Sequence, residues 1–384
     1  MIPYGRQTIS DADIESVVQV LRSDFLTQGP QVPAFEDAVA KHVGVPYAVA
    51  VNSATSALHM ACSALGLGPG DWLWTSPNSF VASSNCALYC GAQVDFIDID
   101  PCTYNICSEA LSEKLFAAKK SGRLPKVVIP VHFAGQSCDM QAISALSKEY
   151  GFKVVEDASH AIGGRYQNTF IGACEHSDIT VFSFHPVKII TTAEGGLLTT
   201  RDAGIAQRLS DLRSHGITRE AARLERQNQG AWYYEQQSLG FNFRMTELQA
   251  ALGLSQMTEL ERFVARRHAL VARYEKGLAG LPLARPWQHP DAYSAIHLYV
   301  IQGTEEARMD RRTLFDALRA AGVLVNVHYI PIHLQPHYQK MGFKPGDFPN
   351  AEAYYERAIS LPLYAGLTEA DQDYVIAKLR ELLQ

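Results

Sequence analysis

The chain has 384 residues, two or three domains' worth at roughly 150 residues each, and is 47% hydrophobic and 19% charged, a composition that supplies a large core and excludes a disordered chain. A formal charge of −6, from 34 basic and 40 acidic side chains, gives no broad attraction to phosphate backbones or anionic lipid. Nucleic acid and membrane surfaces are therefore not expected partners.

The first residues carry no charged-then-apolar leader, and no window holds the roughly 18 apolar residues of a membrane helix, which points to the cytoplasm. Seven cysteines without a repeated C-x-x-C pair read as free thiols, and no metal site is expected. Ser10-Asp11-Ala12-Asp13 resembles a helix start and leads into an amphipathic pattern at Ile14, Val17, Val18 and Leu21. From residue 46 to 200, short apolar runs alternate with helical stretches, the pattern of a sheet with crossover helices. Seven runs, at 47–51, 72–75, 94–99, 127–133, 154–156, 179–184 and 197–200, predict a seven-stranded, mainly parallel α/β sheet. Most are continuously apolar, as strands covered on both faces should be. Between them a helix is expected over 54–65, stopped by Gly66, and another from an Asp139 cap to near Gly151.

Beyond the sheet, 245–278 reads as one long helix leading out of it. Residues 296–301 and 323–329 read as strands, and 311–321, 351–359 and 369–383 as helices. The expected division is a large domain over 1–250, including the N-terminal helix, and a smaller α+β unit over 251–384 that begins with the long linking helix.

The chemistry concentrates at three strand ends. Lys188 lies in the apolar run Phe184-His185-Pro186-Val187-Lys188-Ile189-Ile190. A buried lysine has a lowered pKa and becomes a nucleophile or imine former, although a lysine at a strand end can also simply reach water. Glu156-Asp157-Ala158-Ser159-His160 puts two carboxylates and a histidine at the carboxyl edge of a strand, where open α/β sheets bind ligands. Asp157 and Lys188, on consecutive strands, supply what pyridoxal phosphate needs: a carboxylate that keeps the ring nitrogen protonated, and an amine that holds the aldehyde as an imine. A carboxylate–pyridinium contact at about 4 Å is on the order of 4 kcal/mol before desolvation. Asn52-Ser53-Ala54-Thr55 joins a strand to a helix, either an anion site for the phosphate or a plain N-cap. Ser183 is a further hydroxyl. Phe80 is either a ring-stacking aromatic or core. The glycines at 66, 68 and 70 follow a helix and precede a strand, the reverse of a dinucleotide fingerprint. His328, His333 and His337 lack metal-ligand spacing.

Taken together, residues 52–58, 156–161, 182–188 with Thr191-Thr192-Ala193-Glu194-Gly195-Gly196, and Gly240-Phe241-Asn242-Phe243-Arg244-Met245-Thr246-Glu247 resemble the DegT/StrS-type sugar aminotransferases over essentially the whole chain. The resemblance implies a type I, aspartate-aminotransferase-like pyridoxal-phosphate fold working as a homodimer with shared sites. By the same likeness Lys188 forms the imine and Asp157 binds the ring nitrogen. His160 lies beside the ring, where many relatives carry glutamine, and Phe80 stacks on it. Ser53, Ala54, Thr55 and Ser183 hold the phosphate together with Asn242 from the partner subunit. His328 and Tyr329 fall near the nucleotide sugar, and His185 receives no role. Residues 131–136, 213–216, 232–235 and 326–331 narrow the likeness to the pseudaminic-acid branch, which implies L-glutamate as donor and a UDP-linked 4-keto-6-deoxy N-acetylamino sugar as acceptor. Some relatives carry histidine at the lysine position and act as dehydratases. Lysine here favours transamination, with dehydration or another regiospecificity as the alternative.

Overall fold

The computed structural model describes residues 1–226 and 229–384. Its centre is the expected seven-stranded sheet. The strands are β1 (Tyr47–Val51), β2 (Trp72–Thr75), β3 (Gln93–Phe96), β4 (Val127–Ile129), β5 (Lys153–Asp157), β6 (Ile179–Ser183) and β7 (Gly196–Thr200). In space they run β1-β7-β6-β5-β4-β2-β3, with β7 antiparallel to both neighbours and the remaining pairs parallel. Every residue of β4, β6 and β7 is buried, which is why those runs carry no polar alternation. Val155, Ile179, Val181 and Leu198 pack on one face, whereas Phe182, Leu197 and Phe184 pack with Phe35 and Phe263 on the other.

Local chemistry sets the helices as expected. Ser10 and Asp13 form a reciprocal capping box on Asp11–Leu21, Asp139 Oδ1 accepts from the Ala142 N–H at 3.1 Å, and Gly66 and Gly151 leave their helices with positive φ. Among the described residues no helix is long and apolar enough to cross a membrane.

Several expectations are corrected. The first helix does not bury its apolar stripe: Val20 and Asp13 face inward, while Ile14 and Leu21 are exposed. The long helix expected over 245–278 is two helices, Glu247–Met257 and Leu260–Gly277. The first closes at Thr258, whose N–H and hydroxyl both return to the Ser255 carbonyl, and the second restarts beyond Glu259. The strand expected from 296 begins at Tyr299 (Tyr299–Gly303) because Ile296 has a left-handed φ of 47° that no extended strand accommodates. The one expected over 323–329 is only Val323–Leu324. The helix expected over 351–359 spans Pro349–Arg357, and Ile359 belongs instead to Ala358–Leu361, which pairs with Tyr299–Gly303. There the apolar run fits either period, and strand pairing decides. At the sheet's ligand edge the runs expected to 99 and 133 end early, at Phe96 and Ile129.

Glu156 and Asp157, adjacent on β5, point to opposite faces. Glu156 turns away from the sheet edge to His132. The Cys138 N–H donates to His132 Nδ1 at 3.1 Å, so His132 Nε2–H donates to Glu156 at 2.7 Å. Thr180 and Ser177 hydroxyls complete the shell. Burial pushes the Glu156 carboxyl up, but the donors led by His132 outweigh it and hold it below its usual 4.5. A carboxyl held low in the folded state adds stability above its unfolded pKa, and that stability is lost as pH falls through the folded value. Glu156→Gln should therefore cost about 2 kcal/mol at neutral pH and flatten the loss of melting temperature below pH 4.5, as read by thermal denaturation across pH. A variant as stable and as acid-sensitive as the parent contradicts this.

Candidate active site

At the carboxyl ends of β1, β5 and β6, segments far apart in sequence enclose a cavity of about 530 Å³. Of the residues singled out from sequence, Ser53, Ala54, Thr55, Phe80, Asp157, His160, Ser183, Lys188, His328 and Tyr329 all line it. Asn242 does not. It is exposed, and its backbone bridges to Ser214.

After β1, Ser53 is extended (φ −165°) and caps Ala54–Ala64, its Oγ accepting from the Ser56 N–H at 3.1 Å. The N–H groups of Ala54 and Thr55 precede the first intrahelical bond, which Ala57 N makes to Ser53 O, so they face the cavity as an anion cradle. Ser183, at the end of β6, adds its hydroxyl. Strand β7 presses against this loop: a Cβ on Gly196 would lie 2.5 Å from the Ser53 carbonyl. Ser53 is thus both the cap and part of the cradle. Phe80 is 59% exposed, which removes the core alternative, and its ring lies 6.4 Å from that of Tyr329.

Asp157 is buried at the end of β5, and both of its oxygens are fixed. Ser83 Oγ donates to Oδ2 at 2.6 Å, itself bonded to Ser79 at 2.6 Å, and the Ser159 N–H donates to Oδ1 at 3.1 Å. Lys188 is half-buried as a residue, and its side chain lines the cavity. Burial drives its pKa from 10.5 down to about 8, against the opposing pull of Asp157. His160 Nε2 meets the Tyr329 hydroxyl at 3.1 Å, and its ring lies 4.5 Å from that of His297. Burial first, and then the Lys188 charge, push His160 well below its usual value and His328 down to about 3. These imidazoles stay neutral.

His185 and Glu194 sit exposed at the mouth. Sequence reading missed Tyr4, Ser83 and His297, and gave Asn326 no role beyond its place in the 326–331 motif. Tyr4, Ser83 and His297 carry no local signal, because Tyr4 comes from the chain's start, Ser83 from a helix, and His297 from a distant part of the sequence.

Comparison with known proteins agrees with this geometry. The chain belongs to the DegT/DnrJ/EryC1/StrS aminotransferase family, whose model matches residues 7–380. It is 41% identical to the spore coat polysaccharide biosynthesis protein SpsC of Bacillus subtilis, over 100% of this chain and 97% of that one. Among solved structures it resembles Helicobacter pylori PseC, an aminotransferase involved in the biosynthesis of pseudoaminic acid (TM-score 0.90, 31% identity, covering 100% of this chain and 99% of that one). It also resembles the PLP-form of the putative sugar aminotransferase Spr1654 of Streptococcus pneumoniae (TM-score 0.89, 29% identity, 100% of both chains). The protein is therefore a pyridoxal-phosphate-dependent sugar aminotransferase. The cavity fits that cofactor: the open amides at Ala54 and Thr55 suit a phosphate, and a fixed carboxylate and an accessible amine face the same space.

The amine's titration is measurable. Reloading of cofactor-free protein with pyridoxal phosphate, followed by its visible band, should quicken as pH rises through about 8, because only the unprotonated amine attacks. Asp157 raises the Lys188 pKa, so Asp157→Asn should move the midpoint lower. A midpoint near the free-lysine value, or one that moves up in the variant, contradicts the assignment.

Proposed function

We propose that the protein transfers the amino group of L-glutamate to the C4 ketone of a UDP-linked 6-deoxy N-acetylamino sugar. The sequence motifs favour UDP-2-acetamido-2,6-dideoxy-β-L-arabino-hex-4-ulose, with a UDP-4-amino-4,6-dideoxy sugar and 2-oxoglutarate as products. One observation carries this reading. Lys188 presents an amine whose pKa of about 8 leaves roughly one in ten unprotonated at neutral pH, beside a carboxylate whose geometry is already fixed.

In this reading Ser53, Ala54, Thr55 and Ser183 hold the cofactor phosphate, joined by the partner subunit's Asn242. Asp157 takes the ring nitrogen, Phe80 covers the ring, and His160 lies alongside it. When bound, pyridoxal phosphate supplies a ring that stabilises negative charge at the carbon losing its proton. Once freed, Lys188 Nζ takes that proton from the donor's Cα, and in the second half of the cycle it moves a proton back to the sugar carbon. His328 and Tyr329, which line the same cavity, contact the sugar. The names of SpsC and PseC, both tied to sugar biosynthesis, support a nucleotide-sugar acceptor. The exposed stripe of Ile14, Leu21, Phe25 and Leu26 supports a homodimer, and a cytoplasmic location is part of the same proposal.

Incubation with L-glutamate and UDP-4-keto sugars, with products weighed, should show replacement of the ketone by an amine. Lys188→Ala should lower turnover at least about 100-fold while keeping its circular dichroism. Loss of water from the sugar in place of amination, or normal turnover by the variant, overturns the reading.

A further inference from the structure

Ser79, just before the helix Ala82–Tyr89, and Ser83 and Ser84, in its first turn, are all buried, and buried hydroxyls need partners. Within a helix a serine ordinarily bonds back to a carbonyl of the preceding turn. Ser84 does so, to the Val81 carbonyl at 3.1 Å, and it also meets the Tyr338 hydroxyl at 2.5 Å. Ser83 instead reaches out of the helix to Asp157 Oδ2 at 2.6 Å, 74 residues away in sequence.

These bonds have a direction. A carboxylate only accepts, so the Ser83 O–H is the donor, and with its one proton used Ser83 Oγ accepts from the Ser79 O–H at 2.6 Å. Each hydroxyl in such a row polarises the next, and a donor to an ionised group binds more strongly than one to a neutral group. The Ser159 N–H on Oδ1 comes from the same strand end, two residues on, whereas Ser83 ties the carboxylate to a separate element. The competing partner is the Lys188 amine, which feels the Asp157 charge. His160, His297 and His328, all kept neutral, also surround that amine, with His185 and Glu194 at the mouth. Asp157 is the buried charge that faces it.

We propose that Ser83 is a positioning residue for Asp157: the row from Ser79 through Ser83 holds the carboxylate in place for the cofactor's ring nitrogen and keeps it from closing on the Lys188 amine. The inference rests on the roles assigned above to Asp157 and Lys188. Ser83 does not itself line the cavity, so it acts on the chemistry through Asp157. Without its hydroxyl the buried Oδ2 loses its donor. The lysine ammonium then becomes the best remaining partner, and the amine keeps its proton to higher pH.

The pH midpoint for reloading cofactor-free protein with pyridoxal phosphate reads the amine without any turnover. From a parent midpoint of about 8, Ser83→Ala should raise it by about one pH unit, the reverse of the fall expected for Asp157→Asn. Ser79→Ala, which keeps Ser83 but removes its donor, should raise it by less. Ser84→Ala truncates an equally buried serine of the same turn whose bonds lead elsewhere, and should leave the midpoint where it is. In an Asp157→Asn background Ser83→Ala should add no shift, because no charge remains to redirect. An unchanged or lower midpoint in Ser83→Ala, a rise that persists in that background, or an equal rise in Ser84→Ala overturns the proposal. Should Ser83→Ala not fold, Ser79→Ala is read by the same outcomes. If Asp157→Asn lowers the midpoint and Ser83→Ala does not raise it, the Ser83 proposal alone fails. If Asp157→Asn does not lower it, the roles of Asp157 and Lys188 fall, and the Ser83 assignment with them.

Discussion

An amine and a carboxylate share one edge of the sheet without neutralising each other, and the rest of the site is arranged around that separation. Asp157 ends β5 and Lys188 follows β6, its parallel neighbour, so the fold alone brings them to one cavity. A lysine left there would ordinarily close on the carboxylate as an ion pair and keep its proton. Here Ser83 and the Ser159 amide occupy both Asp157 oxygens. The amine is left with desolvation as the stronger influence. A displacement from 10.5 to about 8 corresponds to roughly 3 kcal/mol in favour of the neutral form.

That separation constrains the neighbours in turn. Histidines packed around a cavity that already holds one cation are discouraged from protonating. Burial and the Lys188 charge act together on His160, His297 and His328. The walls are therefore hydrogen-bonding but uncharged, while the helix N-terminus after Ser53 supplies an anion site from backbone amides. This explains how a chain of net charge −6 builds a site for a phosphorylated cofactor: the attraction is local and carried by dipoles that composition cannot reveal.

The sheet was legible because strands covered on both faces must be continuously apolar, and the residues just past β1, β5 and β6 could be singled out because a buried lysine and a buried aspartate are rare enough to need a reason. Glu156 shows the limit of that logic. It is as polar and as buried as Asp157, yet the two-residue period of the strand sends it to His132 on the far face. The surroundings of the site were not legible for a different reason. Ser83 reads as a helix residue and Tyr4 as an unremarked residue near the chain's start, and each acquires its place only when distant elements pack. Ile359 fits helical spacing, but backbone pairing with Tyr299–Gly303 determines its conformation.

The central claim is that Lys188 and Asp157 serve to move an amino group onto a nucleotide-sugar ketone. The most direct test follows the nitrogen atom: the holoenzyme is given L-glutamate carrying heavy nitrogen together with the UDP-linked 4-keto sugar, and the nucleotide-sugar product is analysed by mass spectrometry. The account predicts the heavy atom in the sugar and unlabelled 2-oxoglutarate in matching amount. A sugar product free of the label, formed while glutamate is left unconsumed, would contradict it.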